Sequence, residues 1–318
     1  MNRFVRQLLP FGTLILLIAA LSALEPDAFL KAENFFNVLS RSSVNGIIAM
    51  GMTAVIISGG IDLSVGSMMA MCGMVAGLIM SKNGAIVPTP GLMWIGTAAG
   101  IGTGLVCGLL NGALITKLNL PPFIVTLGTM SAFRGISYVM NDGMMFDVPT
   151  YTFLGQASVA GVPVNVLVCL AIVLLAFFIL RYMPLGRYTY AIGSNRQAAY
   201  HAGVNVNRSL LLIYTLTGVF IGLAAMIATS RTVSAQPTAG QSLELDVIAA
   251  VVIGGASLSG GRGTVVGTVI GTLLISFLRN GLTLLGISTN IQLVVIGAII
   301  IGAVALDQMA RAKAVESR

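Results

Sequence analysis

Asp62 stands in the stretch SGGIDLSVGS, residues 58–67, wrapped in glycine and serine with almost purely apolar sequence on both sides. A carboxylate in that setting has two uses. It can cap the helix that begins just after it, accepting hydrogen bonds from free N–H groups and answering the positive helix end, with Ser64 sharing the duty. Alternatively, the break lies at membrane depth, where irregular backbone is tolerated only against protein or a water-filled path, so that Asp62 and Ser64 line a route for solute. The two uses are compatible. Arg134, in TLGTMSAFRGISYVM, is the other charge inside an apolar run. Such a charge is costly and faces a cavity or a partner, or else snorkels to an interface, where Asp142 offers an acid. Glu244 and Asp246, in QSLELDVIAA, read as a structural ion pair with Arg231.

These groups do not add up to a reaction centre. An enzyme would need a nucleophile beside a base, paired carboxylates or a metal cluster, whereas here the acids are scattered and His201 is the single histidine. Cys72, Cys107 and Cys169 all fall in apolar runs without a CxxC pair, which reads as core packing and not as a disulfide framework or zinc site. No Walker-type phosphate loop occurs. GGRGTVVG at 260–267 opens an apolar helix instead of following a soluble strand, so it is discounted as a dinucleotide site. No catalytic residue, no metal and no cofactor of its own are expected of this chain, and no nucleic-acid partner.

The elements that position these residues must be membrane helices. Of 318 residues, 56% are hydrophobic and only 8% charged, where a soluble domain carries about 25% charged residues to cover its surface. The mean hydropathy is +0.96. Uncharged stretches run from Lys82 to Lys117, from Asp147 to Arg181, from Arg208 to Arg231 and from Arg279 to Asp307, each long enough for a span of about 20 residues. The start, MNRFVRQLLPFGTLILLIAALSAL, imitates a signal peptide, but the many spans behind it favour an uncleaved first helix. Apolar runs and breakers place spans near 8–24, 44–58, 64–80, 92–115, 121–140, 163–180, 209–229, 246–257, 264–278 and 288–306. The eighth is too short to cross alone; it continues through its glycines or is a broken helix. The expected fold is all-α, a polytopic integral membrane bundle of about ten transmembrane helices forming one domain over residues 1–318.

Charge orients that bundle. With the N-terminus inside and ten alternating spans, cytoplasmic segments hold eleven basic residues, among them Arg3, Arg6, Lys117, Arg181, Arg187, Arg196, Arg208, Arg262 and Arg311. They hold three acids, Asp62, Asp307 and Glu316; the other segments hold six basic residues and seven acids. Lys and Arg favour the cytoplasmic side, so both termini are expected there. The loop 181–208, RYMPLGRYTYAIGSNRQAAYHAGVNVNR, then lies in the cytoplasm. Its centre predicts a short helix capped by Ser194 or Asn195 and ending at Gly203. An ordered loop in a protein otherwise confined to the membrane is either a docking element or a solvated connector whose charges fix topology.

Glycine recurs in register at Gly96, Gly100, Gly104, Gly108 and Gly112, and again at Gly263, Gly267 and Gly271. Positions four apart share a helix face, and glycine there lets backbones approach closely. A weaker echo links GGIDLSVG at 59–66 with GGASLSGG at 254–261, both fitting GGxxLSxG; internal repeats are a common transporter device.

Taken together, SSVNGIIAMGMTAVIISGGIDLSVGS, GRYTYAIGSN followed by AGVNV, SAQPTAG with ELDVIAAVVIGGASLSGGRGTVVGT, and NGLTLLG resemble the bacterial ribose-type permeases of the ATP-binding-cassette importers, from about residue 30 to the C-terminus in unbroken order. The resemblance implies a homodimer in the bacterial inner (cytoplasmic) membrane, within the lipid bilayer. It also implies a cytoplasmic ATPase with two cassettes, which would bind ATP and Mg, and a periplasmic sugar-binding protein. Gly193, Asn195, Ala198, Ala199 and Gly203 match the segment that the ATPase is expected to grip; Ala202 stands where relatives often have Ser. The stretch 60–66, with Asp62 and Ser64, and Arg134 match positions along or beside the pathway. ATP would close the cassettes and move each docking helix as a rigid lever, opening the route first to the binding protein and then to the cytoplasm. Ribose, allose, xylose, arabinose, galactose and autoinducer-2 permeases share the motifs, with ribose slightly ahead here. Two other classes remain at this stage: a proton- or sodium-coupled carrier, which would want an ion-coordinating cluster at the midplane, and a scaffold or channel, which would leave the basic loop without a task.

Overall fold

The computed structural model describes residues 3–81 and 89–316. The loop carrying Lys82, and the side chains of Arg3, Arg6, Asp307 and Arg311, lie outside the described residues. In chain order the helices are α1 (Arg3–Leu24), α2 (Pro26–Phe29), α3 (Ala32–Ile57), α4 (Val65–Met80), α5 (Pro90–Lys117), α6 (Pro122–Val139), α7 (Phe153–Gln156), α8 (Val164–Tyr182), α9 (Pro184–Ser194), α10 (Arg196–His201), α11 (Val206–Thr232), α12 (Leu243–Ile253), α13 (Val265–Leu284) and α14 (Thr289–Glu316). Each apolar run predicted from sequence coincides with one of them. Among the described residues, five helices, α3, α5, α8, α11 and α13, are long and apolar enough to cross a membrane on their own. The stretches Phe11–Leu24, Val65–Met80 and Thr289–Gly302 are shorter apolar helices. Strand is confined, among the described residues, to two-residue pairs: β1 (Phe146–Asp147) with β4 (Ser234–Ala235), and β2 (Ser158–Val159) with β3 (Val162–Pro163), both antiparallel.

The glycine register is a seam. A Cβ at Gly104 of α5 would strike the carbonyl of Gly218 on α11, and one at Gly108 would strike that of Tyr214. Without side chains in the way, the two backbones touch. Membrane helices gain little from burying apolar surface against one another, so this van der Waals fit carries their association. On the other side of the bundle, Gly267 and Gly271 of α13 lie against the carbonyls of Gly254 and Ala250 of the α12 region. Gly263, which the sequence puts on the same stripe, falls in the loop before α13, where Thr264 is the cap and accepts from Gly267 N–H at 3.0 Å. α3 runs through the centre, with Ile47, Met52, Ile56 and Ile57 all fully buried. Its Thr53 hydroxyl bonds that of Thr268 on α13 at 2.7 Å.

The eighth apolar run is broken. Val233, at φ +48, ends α11, and the chain turns back beside α4. A Cβ at Gly77 would meet Ala235, and Gly240 lies against the backbone of Gly66. Residues 236–242 form turns beside α4 that run antiparallel to it, with the Ala239 N–H on the Gln236 carbonyl at 3.1 Å and the Leu243 N–H on the Gly240 carbonyl at 3.2 Å. α12, with 11 residues, rises about 16 Å, half of a hydrocarbon core about 30 Å thick.

Candidate functional site

Three sets of sequence-predicted residues resolve into two buried arrangements and one exposed one. α3 ends in a glycine turn: Gly59 takes φ +86, and the Gly60 N–H reaches back to the Val55 carbonyl at 3.0 Å. Only glycine holds that left-handed conformation without strain. Asp62 follows, 1% exposed, and its Oδ1 accepts from the Ser64 N–H at 2.8 Å and the Ser64 hydroxyl at 2.6 Å. Ser64 in turn accepts from Asn111 Nδ2 of α5 at 2.9 Å. Among the α4 residues, the carboxylate thus holds the N-cap residue itself instead of bonding the first turn. The Ile61 carbonyl accepts from Thr126 of α6 at 3.2 Å, so α5 and α6 both grip the break.

This geometry separates two substitutions at Asp62. Asp62→Asn keeps an oxygen for both Ser64 donors, and its effect on stability is expected to stay within about 1 kcal/mol. Asp62→Ala leaves two buried donors without an acceptor and is expected to cost about 1–3 kcal/mol for each. Thermal unfolding of the detergent-solubilised protein checks both, and equal midpoints for the two variants would contradict the assignment.

Arg134 does not snorkel to Asp142. Its Nη1 donates to the carbonyls of Pro237 and Ala239, each at 2.7 Å. A turn segment inside the bundle has carbonyls with no helical partner, and the guanidinium supplies the missing donors. The ion pair expected for Arg231 also forms elsewhere: Asp246 accepts from Arg279 Nη2 of α13 at 2.7 Å, joining α12 to α13. Glu244 Oε2 lies beside Gly66.

The loop 181–208 is two helices. Asn195, not Ser194, caps α10: its Oδ1 accepts from the Ala198 N–H at 2.9 Å. Gly203, at φ +84, ends α10 in a Schellman turn, with the Val204 N–H on the Ala199 carbonyl at 3.0 Å. Ala199 is the buried residue of α10, while Arg196, Gln197, Ala198, Tyr200 and His201 are exposed. Gly193 carries the loop into the bundle. A Cβ there would strike the Ile57 carbonyl at the end of α3, and that same carbonyl accepts from the Gly261 N–H at 2.8 Å. A Cβ on Gly260 would lie 3.1 Å from Gly59 Cα and 2.8 Å from the Gly193 carbonyl oxygen. Tyr190 of α9 adds a bond from its hydroxyl to the Gly263 carbonyl at 2.9 Å. The 181–208 loop, the break after α3 and the break after α12 therefore meet backbone to backbone.

The two stretches of the GGxxLSxG echo are both helix ends, though the turns do not repeat in the register of that match. α12 ends as α3 does, with Gly255 at φ +91 and the Ala256 N–H on the Val251 carbonyl at 3.1 Å. The repeated turn matches Gly59 with Gly255, one residue away from the register of the sequence match. Sequence reasoning missed Asn111 and Arg279; Asn111 was visible as the one amide in the apolar run GLLNGALI.

The comparisons with known proteins agree on one family. The family model described as "Branched-chain amino acid transport system / permease component" matches residues 34–304. The chain is 45% identical over 309 residues to the ribose import permease protein RbsC of Bacillus subtilis, covering 96% of this chain and 93% of that one. It is 41% identical over 301 residues to the ribose import permease protein RbsC of Escherichia coli, covering 92% of this chain and 91% of that one. Its identity to the D-allose transport system permease protein AlsC of Escherichia coli is 39% over 304 residues, covering 94% and 90%. No solved structure matches. With nearly its whole length matched, the chain belongs to the family of branched-chain amino acid transport system permease components.

Proposed function

We propose that this chain is the membrane-spanning permease subunit of an ATP-binding-cassette importer that moves ribose or a related monosaccharide across the bacterial inner membrane. It is a multi-pass membrane protein with several helices able to cross a bilayer. The alternative of a proton- or sodium-coupled carrier falls away, because its relatives are import permeases and one is named a probable ABC transporter permease.

The observation that carries the mechanism is the Gly193 junction. In this reading the chain is one domain that crosses ten times, with α12 and the segment before it making one crossing, and both termini in the cytoplasm. The subunit works as a homodimer with a periplasmic sugar-binding protein above and a cytoplasmic ATPase below. ATP and Mg are bound by the ATPase and not by this chain. The ATPase grips α9 and α10, where Asn195 and Gly203 fix the two ends of α10, Ala198 stands on the exposed side and Ala199 seats the helix on the bundle. Gly193 passes the displacement to both breaks at once. Asp62 and Ser64, in one break, and Arg134, on the segment before α12, then shift the walls of the sugar route.

Uptake of labelled ribose, allose, xylose and galactose by cells with and without the gene tests this reading. Gene-dependent uptake of ribose or a relative is expected; a gene that adds no uptake of any of the four would overturn it.

A further inference from the structure

The segment 236–242, QPTAGQS, is held in a way that a lipid-facing element could not be. It lies against α4 between Gly77 and Gly66, and Arg134 fixes its carbonyls at Pro237 and Ala239. α4 packs against α5 and α11, two of the helices able to span a bilayer, so the segment runs at membrane depth. It is built of turns, neither helix nor strand, and leaves Thr238 and Gln241 exposed while Pro237 is buried and Ala239 half-buried. Non-helical backbone with outward polar side chains is not tolerated against hydrocarbon, only against protein or water. Of the polar groups here, Thr238 and Gln241 point away from the bundle, and Glu244 follows in the first turn of α12, half-buried.

We propose that Thr238, Gln241 and Glu244, braced by Arg134, form the sugar-contacting wall of the translocation route, a weak site for a neutral polyhydroxylated solute. The inference rests on the importer reading and deepens it. A hydroxyl, an amide and a carboxylate offer both donors and acceptors to sugar hydroxyls. The charges of Arg134 and Glu244 cancel, whereas a route that selects ions is lined by charges of one sign. The arrangement also suits conduction, in which a site must hold its solute weakly enough to release it.

The test is cysteine accessibility in native membranes, with uptake measured alongside. Gln241→Cys and Thr238→Cys are compared with Leu174→Cys on α8, where Leu174 is 59% exposed on a span that is itself mostly unburied. The probe is a charged, water-soluble methanethiosulfonate, which reacts with thiolate in water. Cys72 and Cys107 are buried and Cys169 is half-buried, so labelling of the protein without an added cysteine is measured and subtracted. Gln241→Cys is expected to react at least about tenfold faster than Leu174→Cys and to be protected by millimolar ribose. Reaction no faster than at Leu174→Cys would overturn the proposal by placing the segment against lipid or dry protein. Fast reaction without protection by any of ribose, allose, xylose or galactose, in cells that do take one of them up, would also overturn the sugar-contact assignment. Absence of uptake in the unaltered protein would fall instead on the importer reading, since labelling does not depend on it. Gln241→Ala, which keeps the backbone, is expected to raise the sugar concentration for half-maximal uptake severalfold while the ATPase still co-purifies; unchanged uptake kinetics would count against the proposal.

Discussion

Gly193→Ala is expected to abolish coupled uptake while leaving the protein in the membrane and the ATPase bound. The added Cβ would occupy the place of the Ile57 carbonyl, which is fixed at the end of α3 and already bonded to the Gly261 N–H at 2.8 Å. Backbone cannot yield as a flexible side chain can, so α9 must lift away from the two breaks. An overlap of this kind costs about 2–3 kcal/mol, which reduces the joined arrangement by about 30- to 150-fold. Gly102→Ala is the control. Gly102 lies on α5 with nothing within 4 Å of its Cβ position, so alanine fits there without overlap and far from the junction. Uptake by Gly193→Ala that equals that of Gly102→Ala would show that force does not pass through Gly193.

Gly104→Leu is expected to remove most folded protein. α5 and α11 make the most extensive helix contact in the molecule, and Gly104 meets Gly218 there backbone against backbone. A leucine would force the pair apart along its length, at a cost at or above the upper end of the usual overpacking range, about 3 kcal/mol. Total stabilities are only about 5–15 kcal/mol, so both the membrane level and the unfolding midpoint should drop sharply. Gly102 stands on the same helix with nothing within 4 Å of its Cβ position; Gly102→Leu is expected to change neither. If the two variants behave alike, the seam is not what holds α5 to α11.

The contrast between these glycines bears on what a sequence can disclose. Local features were legible. The pair Gly59–Gly60 before Asp62 announces a helix end, and Asn195 and Gly203 bracket α10, because each depends on residues a few positions apart; the eighth apolar run reads only as too short to cross alone, with a broken helix and continuation through its glycines both open. The glycine register also reads correctly on α5, although it does not reveal that α11 is the partner. Long-range choices were hidden. Asp246 prefers Arg279 to Arg231, and Arg134 prefers two carbonyls to Asp142, because the fold brings those groups together across 33 and 103 or 105 positions. The turn segment 236–242 could not be read as such: besides its own turns, its carbonyls at Pro237 and Ala239 are held by a side chain of another helix, so no period marks it. The meeting of Gly193 with the two breaks is hidden for the same reason.

The account stands most directly on the source of energy. Labelled ribose uptake is measured in cells with and without the gene, first with the proton gradient collapsed and separately with ATP depleted. Gene-dependent uptake is predicted to survive loss of the gradient and to vanish with ATP. Uptake that vanishes when only the gradient is lost would contradict the account, leaving α9 and α10 without an ATPase to answer to.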